Sequence, residues 1–222
     1  MAAARASTLS FRVRRSRRAR HVKVTVDADA NVEVVLPLGV PEQAASAAVR
    51  ELAPWIERRQ TEAAAVLREV QRRGGTIPYL GRSLRLVPDP KRTTVRRDGG
   101  VLLVPTGDPK AAIERFYRRQ ARTEIATRLD AAVLASATSY TTLSIRGQRT
   151  RWASCGASGA MSFNWRLLLA PEEILEYVVW HEVCHLTVRN HSEAFWSLLQ
   201  RYRPSWRAER DWLRRHGATL VL

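Results

Sequence analysis

Residues 181–185 read His-Glu-Val-Cys-His, a spacing whose chemistry depends on an α-helix. On a helix, side chains four positions apart lie on one face, with their Cβ atoms about 5–6 Å apart. His181 and His185 can then reach one zinc ion, whose bonds to imidazole nitrogen are about 2.0–2.1 Å long. Glu182 is rotated about 100° around the helix from His181, so it lies beside the metal. The motif predicts a metal-binding helix.

Glu182 is placed to take a proton from a water molecule on that zinc ion, the arrangement of the metalloprotease H-E-x-x-H motif. The flanking sequence supports the helix. Pro171 suits a first helical position, and Glu172 and Glu173 follow at the positive end of the helix dipole. We therefore predict a helix from Pro171 to about Val188.

The third metal ligand has two candidate sources. In a continuous helix His191 would lie about 9 Å beyond His185 and about 240° around the axis, so the helix must end between them if both bind one metal. The spacing H-E-x-x-H-x5-H matches metzincins, although Val188 stands where they have glycine. The alternative is a carboxylate from the last helix, Glu209 or Asp211. The residues themselves leave both alternatives open.

Arg189 and Asn190 form the predicted break, because Asn tolerates the left-handed conformation that ends many helices. Ser192 is then placed to cap the next helix, with Glu193 in its first turn.

The pattern of elements predicts an α+β protein. Alternating apolar residues at 9–14, 20–26 and 31–36 predict an N-terminal β-meander. A helical pattern follows from Glu42 to about Arg73, and Pro54 predicts that it is split into two helices.

Beyond Gly74-Gly75 the pattern predicts further short strands and four helices. The predicted strands are 83–87, 92–97, 101–104, 141–146 and 160–165, and the predicted helices are 108–137, 171–188, 193–202 and 205–216. We expect two parts, a basic strand and helix region over 1–75 and a second domain over 76–222.

The formal net charge is +16, from 37 Lys and Arg against 21 Asp and Glu. Such a field attracts nucleic acid or another polyanion. A dense run of arginines lies in the first predicted hairpin: Arg12, Arg14, Arg15, Arg17, Arg18 and Arg20. This run predicts either a nucleic-acid-binding patch or an ordinary solvated face.

The sequence predicts a cytosolic protein. It contains no run of about 18 apolar residues, so no membrane helix is expected. Its first twenty residues lack the apolar segment of a secretory signal. Two cysteines, Cys155 and Cys184, provide no disulfide framework, and we expect Cys184 to pack inward.

The segment around these motifs resembles the YgjP-like metallopeptidase family, relatives of the SprT-like proteases. The resemblance is dense from about Tyr117 to Leu213. It includes the Arg151–Cys155 loop, the Asn190-His191-Ser192 step and Phe195-Trp196. It implies a minimal zincin core, in which a small sheet is backed by the long helix and the H-E-x-x-H helix lies beneath it.

The resemblance assigns one zinc ion per chain to His181, His185 and His191, and it favours His191 over Glu209. We therefore expect a zinc-dependent hydrolase, a peptidase with Glu182 as general base and a peptide or protein substrate. The alternative is a nucleic-acid-associated zinc protein with little or no protease activity, or a protease recruited to DNA by its basic N-terminal region. The presence of Glu182 favours the enzyme over the protein without protease activity.

Residues 160–165 are predicted to form the strand that borders the cleft, to which a peptide adds by main-chain hydrogen bonds. Asn164 is a candidate to orient substrate, with a turn or packing role as the alternative. Arg151 and His216 are the candidates for stabilising the oxyanion.

Overall fold

The chain folds as the α+β class that the sequence predicts. The computed structural model describes three stretches of the chain, residues 9–27, 30–148 and 151–222. These residues form two compact units, divided between Arg72 and Arg73. The predicted domain boundary after residue 75 lies close to this division. That the two parts are separate domains stays a prediction.

The first unit contains a three-stranded sheet of β1 (Phe11–Ser16), β2 (Lys23–Val26) and β3 (Val32–Pro37). The predicted β-meander is wrong, because the strand order is β1-β3-β2, with β1 parallel and β2 antiparallel to β3. Four of the six residues of β3 are buried, whereas β2 has no fully buried residue. The most apolar strand therefore takes the centre, where both of its edges are paired.

The arginines of the first hairpin lie on the edge strand β1 and the turn after it, and all six are exposed. Two of them have partners within the unit. The Arg14 side chain lies 3.3 Å from a Glu33 carboxylate oxygen, and Arg15 donates to the carbonyls of Leu38 and Val40. Nucleic-acid binding by this run stays a prediction.

Two helices, α1 (Gln43–Glu51) and α2 (Ala53–Arg72), complete the first unit. The predicted split is confirmed, since Pro54 lies in the first turn of α2, where its missing N–H costs no helical hydrogen bond. Val49 and Ile56 are buried against the sheet and form the core of this unit with residues of β3.

The second unit begins with a four-stranded sheet in the order β4-β5-β7-β6. Its strands are β4 (Thr76–Tyr79), β5 (Arg82–Pro88), β6 (Arg96–Asp98) and β7 (Val101–Val104). The sequence did not predict β4. The strand predicted at 92–97 corresponds to β6, which is shorter and ends one residue later. A tight turn joins β6 to β7, with Gly99 at a φ of 55°.

The long helix α3 (Pro109–Ala135) packs against several other elements of the second unit. Asp108 caps it by accepting the N–H of Ala111 at 3.1 Å. Its buried face includes Phe116, Tyr117 and Leu129.

A second small sheet, in the order β8-β10-β9, follows this helix. It consists of β8 (Thr142–Arg146), β9 (Ala153–Cys155) and β10 (Ala160–Asn164). Strand β10 is parallel to β8 and antiparallel to β9. The loop between β8 and β9 includes residues 149 and 150, which lie outside the described residues.

Three helices end the chain, namely α4 (Glu172–Thr187), α5 (Glu193–Tyr202) and α6 (Trp206–His216). Arg128 of α3 binds Glu124 of its own helix together with Glu172 and Glu176 of α4, so an ion-pair network joins the two helices. Within the described residues, no helix is both long and apolar enough to cross a bilayer. The cytosolic location stays a prediction.

Candidate metal centre

Helix α4 presents His181 and His185 from consecutive turns, as the motif predicts. Their ring centroids are 4.9 Å apart, and both side chains are partly buried. The opposite face of the helix is apolar, with Val179 and Val183 buried there, and Cys184 is buried on the flank between the two faces. The inward position of Cys184 agrees with the prediction.

The helix ends between His185 and His191, as the third ligand requires. The predicted means of ending it is wrong, because Asn190 is not left-handed; instead, Val188 adopts an extended conformation directly after Thr187. The chain then turns back and brings His191 onto the first two histidines. The Nε2 atoms of His181 and His191 are 3.0 Å apart.

The three histidines present imidazole nitrogens that all lie within 4.8 Å of one another. Two nitrogens bound tetrahedrally to one zinc ion would be about 3.3 Å apart, given zinc–nitrogen bonds of about 2.0–2.1 Å. The 3.0 Å separation of His181 and His191 is close to that value. The donor set and its spacing therefore fit a divalent cation of the zinc type.

Hydrogen bonding and burial prepare two of the imidazoles as neutral ligands. The Nδ1 of His185 lies 3.0 Å from the Val188 carbonyl, an acceptor that requires a proton on Nδ1 and leaves the lone pair on Nε2. Burial, together with the neighbouring His185 and His191, lowers the pKa of His181 to about 3. Burial also lowers the pKa of His185.

Glu182 lies next to the triad in an apolar environment and is only 6% exposed. Burial raises the pKa of its carboxyl group to about 7, although the backbone N–H of Cys155 donates to the carboxylate and partly offsets this effect. A carboxylate with this pKa is suited to exchange protons near neutral pH.

The carboxylates of the last helix have other partners. Glu209 is buried, where it pairs with Arg203 and accepts the hydroxyl of Ser205 at 2.9 Å. Asp211 lies 3.5 Å from the guanidinium of Arg214. In the described part of the chain, the cluster of potential metal ligands contains neither of them.

Strand β9 borders the triad, and the prediction that residues 160–165 do so is wrong. Strand β10 lies between β8 and β9 and so has both edges paired, whereas the outer edge of β9 faces α4. Arg189, just after α4, donates to the carbonyls of Gly156 and Ala157 at 2.8 and 2.9 Å. This side chain ties the end of β9 to the turn that carries His191.

Asn164 has a structural position. Its Nδ2 donates to the carbonyls of Gln148 and Arg151, and its Oδ1 accepts the N–H of Arg166. The amide thus holds the loop before β9 and caps the short 3-10 helix after β10, which agrees with the alternative role given to this residue. Of the candidates for oxyanion stabilisation, Arg151 is exposed at the end of that loop, and the His216 ring contacts Trp212 at a tilt of 34°.

Comparison with known proteins identifies the family. The family model for the YgjP-like metallopeptidase domain matches residues 20–216. The chain belongs to the YgjP-like metallopeptidase family. It is therefore a peptide-bond hydrolase that uses a divalent metal, typically zinc, and acts on proteins or peptides.

Two solved structures are similar to parts of this YgjP-like chain. A crystal structure of the metallopeptidase zymogen abylysin of Pyrococcus abyssi has 23% identity and a TM-score of 0.37, covering 42% of this chain and 92% of that one. A crystal structure of the zymogen jannalysin of Methanocaldococcus jannaschii has 20% identity and a TM-score of 0.33, covering 35% of this chain and 80% of that one. No curated protein matches the chain.

Two aromatic side chains of α5, which the sequence singles out only through the family resemblance, contact the triad of this YgjP-like protein. Phe195 is fully buried and its ring lies 4.5–4.9 Å from the rings of all three histidines. Trp196 donates its indole N–H to the His191 carbonyl at 3.1 Å and stacks on the His191 ring. Their spacing of four and five residues after His191 was the available signal.

The raised pKa of Glu182 leads to a prediction about the stability of the metal-free YgjP-like chain. The folded state binds the Glu182 proton more tightly than the unfolded state, so this carboxyl group lowers stability as pH rises from about 4.5 to about 7. Glu182→Gln has no such titration and keeps an oxygen for the Cys155 N–H. The metal-free variant should be more stable than wild type by about 3 kcal/mol at pH 8 and under about 1 kcal/mol at pH 5.

Urea denaturation of both metal-free proteins at the two pH values measures this difference. Equal stabilities at pH 8 would show that the folded protein does not penalise the ionised carboxylate.

Proposed function

We propose that this chain is a zinc-dependent peptidase in which His181, His185 and His191 hold one zinc ion per chain and Glu182 is the general base. The observation that carries the proposal is the convergence of three imidazole donors beside a buried carboxylate. A catalytic zinc site usually has three protein ligands and leaves one position open. In the described residues, the cluster offers three ligands.

The roles follow from the chemistry of the site. Zinc, when bound, supplies a Lewis acid that polarises the scissile carbonyl and lowers the pKa of water. The Glu182 carboxylate takes the proton of the attacking water and delivers it to the leaving amine. Its burial excludes competing water, and the N–H of Cys155 holds the carboxylate in place.

Strand β9 is the proposed binding edge for the peptide. Backbone hydrogen bonds join Trp152 to Asn164 and Gly156 to Ala160. In an antiparallel ladder, such hydrogen-bonded pairs alternate with pairs that are not hydrogen-bonded. The backbone groups of Ala153 and Cys155 therefore point away from β10. The Cys155 N–H donates to Glu182. The Ala153 N–H and the carbonyls of both residues are proposed to pair with an extended substrate.

The alternative, a nucleic-acid-associated protein that keeps zinc for structure, fits the site less well. A structural zinc ion is normally enclosed by four protein ligands. A buried base with a pKa near neutrality beside three ligands also has no purpose in a purely structural site. We therefore favour the peptidase.

Metal removal tests the proposal. We expect purified protein to contain about one zinc ion per chain and to cleave peptides in an unbiased library, because a three-ligand site retains metal and keeps an open position. Chelation should abolish cleavage, and added zinc should restore it. Metal analysis by mass spectrometry and peptide sequencing measure both. Cleavage that persists in fully metal-free protein would refute the proposal.

A further inference from the structure

A surface of aromatic and basic side chains continues outward from the triad. Trp196 of α5 stacks on His191, with ring centroids 5.4 Å apart. On its other side it stacks on Trp206 of α6, at 4.4 Å and an interplanar angle of 17°. The indole pair therefore extends directly from one proposed metal ligand.

Two arginines of α6 cover this pair. The Cζ atom of Arg210 lies 4.9 Å from the Trp206 ring and 5.6 Å from the Trp196 ring, and the Cζ atom of Arg207 lies 4.5 Å from the Trp206 ring. The Trp206 indole N–H and the Arg207 guanidinium both donate to the same Gln200 oxygen, at 2.8 and 2.9 Å. We name Trp196, Trp206, Arg207 and Arg210 the arginine–tryptophan cluster.

The guanidinium groups of the cluster are exposed and are held in place by their partners. Arg207 bonds to a neutral amide. The Nε of Arg210 lies 3.9 Å from Asp211, a carboxylate that lies nearer to Arg214, and the Arg210 side chain is 46% exposed. A cavity of about 500 Å³ adjoins the cluster, and its charged lining residues are Arg207 and Glu193. Arg207 thus presents N–H donors to this space, and the exposed Arg210 lies beside the Trp196 and Trp206 rings that line it.

The chemistry of the cluster favours a carboxylate over a nucleic-acid base. Bases need an open aromatic face on which to stack. Trp206 is only 4% exposed, and Trp196 is stacked between His191 and Trp206. The accessible groups are therefore the guanidiniums, whose planar donors match a carboxylate in two parallel hydrogen bonds.

We propose that the arginine–tryptophan cluster is a specificity site that binds an aspartate or glutamate side chain of the peptide substrate. This inference rests on the proposed peptidase function. One indole ring separates Arg210 from His191. Because an extended peptide advances about 3.3 Å per residue, the acidic side chain lies within about three residues of the scissile bond.

The test compares peptides that carry Glu, Gln or Lys at each of the three positions on either side of a scissile bond cleaved by the enzyme. At one position, Glu should raise kcat/KM over Gln by about 10- to 100-fold, the effect of a charge-assisted hydrogen bond. The double variant Arg207→Gln, Arg210→Gln should cleave the Glu and Gln peptides equally well. A matched control, Arg119→Gln with Arg201→Gln, removes two exposed charges elsewhere and should keep the preference.

Binding provides a second readout that does not depend on turnover. Fluorescent Glu and Gln peptides are titrated onto zinc-loaded Glu182→Gln protein, with and without the two cluster substitutions. The Glu peptide should bind more tightly, and the cluster substitutions should remove the difference.

Three outcomes would overturn the inference. Cleavage without a Glu preference at any position would refute it while the peptidase function stands. Equal loss of preference in the control variant would assign the effect to the overall charge. If the cluster substitutions weaken binding of a single-stranded oligonucleotide and leave the Glu preference intact, the cluster is a nucleic-acid site. Failure of the enzyme to cleave or bind any peptide would instead refute the proposed function.

Discussion

Replacing Glu182 by Gln is expected to lower peptide hydrolysis by about 10²–10⁴-fold, the range for loss of a general base. Gln has nearly the same shape and retains an oxygen for the Cys155 N–H. It cannot take a proton from the attacking water. The three histidines are unchanged, so zinc content should stay near one ion per chain. Cleavage of a peptide found in the library, measured with metal analysis of the same sample, separates the two effects.

Glu173→Gln is the matched control for this substitution. Glu173 lies on the same helix but is exposed in its first turn, so removal of its charge should leave hydrolysis within about twofold of wild type. If Glu182→Gln is as active as wild type, another group takes the proton.

The helices were predictable because their signals are local. The apolar period of α3, the acidic first turn of α4 and the break at Pro54 each depend on residues within a few positions of one another. The end of α4 before His191 was also predictable, since one metal cannot otherwise be shared. The conformation that ends it was not, because the Val188 carbonyl is held by His185, a tertiary feature of the site.

The sheets were less predictable because strand pairing depends on distant residues. Three alternating segments in sequence indicate strands but not their order, and burial decided that β3 lies between β1 and β2. Strand β9 has only three residues, Ala-Ser-Cys, with no apolar alternation. The sequence therefore predicts a loop here and places residues 160–165 at the border of the cleft.

The same division holds within the site. Spacing and resemblance predict the three histidines and Glu182 as site residues. Arg189 was expected only to end a helix, since its contacts with Gly156 and Ala157 join segments more than thirty residues apart. The stacking of Trp196 on Trp206 and the contact of Arg210 with Trp196 likewise appear only when α5 and α6 pack together.

Replacing His191 by Ala is expected to remove most of the zinc. A catalytic site with three protein ligands that loses one retains two, and even the loss of a supporting group beside a ligand lowers affinity by about 10–100-fold. The loss of zinc affinity in His191→Ala should exceed that range. His181→Ala should behave alike, because both Nε2 atoms face the same point. Zinc per chain after dialysis, and competition with a chromogenic chelator, measure the change.

Glu209→Gln distinguishes the three-histidine site from the alternative in which Glu209 is the third ligand. Glu209 is buried against Arg203 and Ser205, so the variant is expected to lose stability but to keep its zinc. Circular dichroism of each variant at the temperature of the metal assay shows that it is folded. If His191→Ala keeps its full zinc content while Glu209→Gln loses it, the third ligand is the carboxylate. The turn at Val188 would then have to open for α6 to approach the metal.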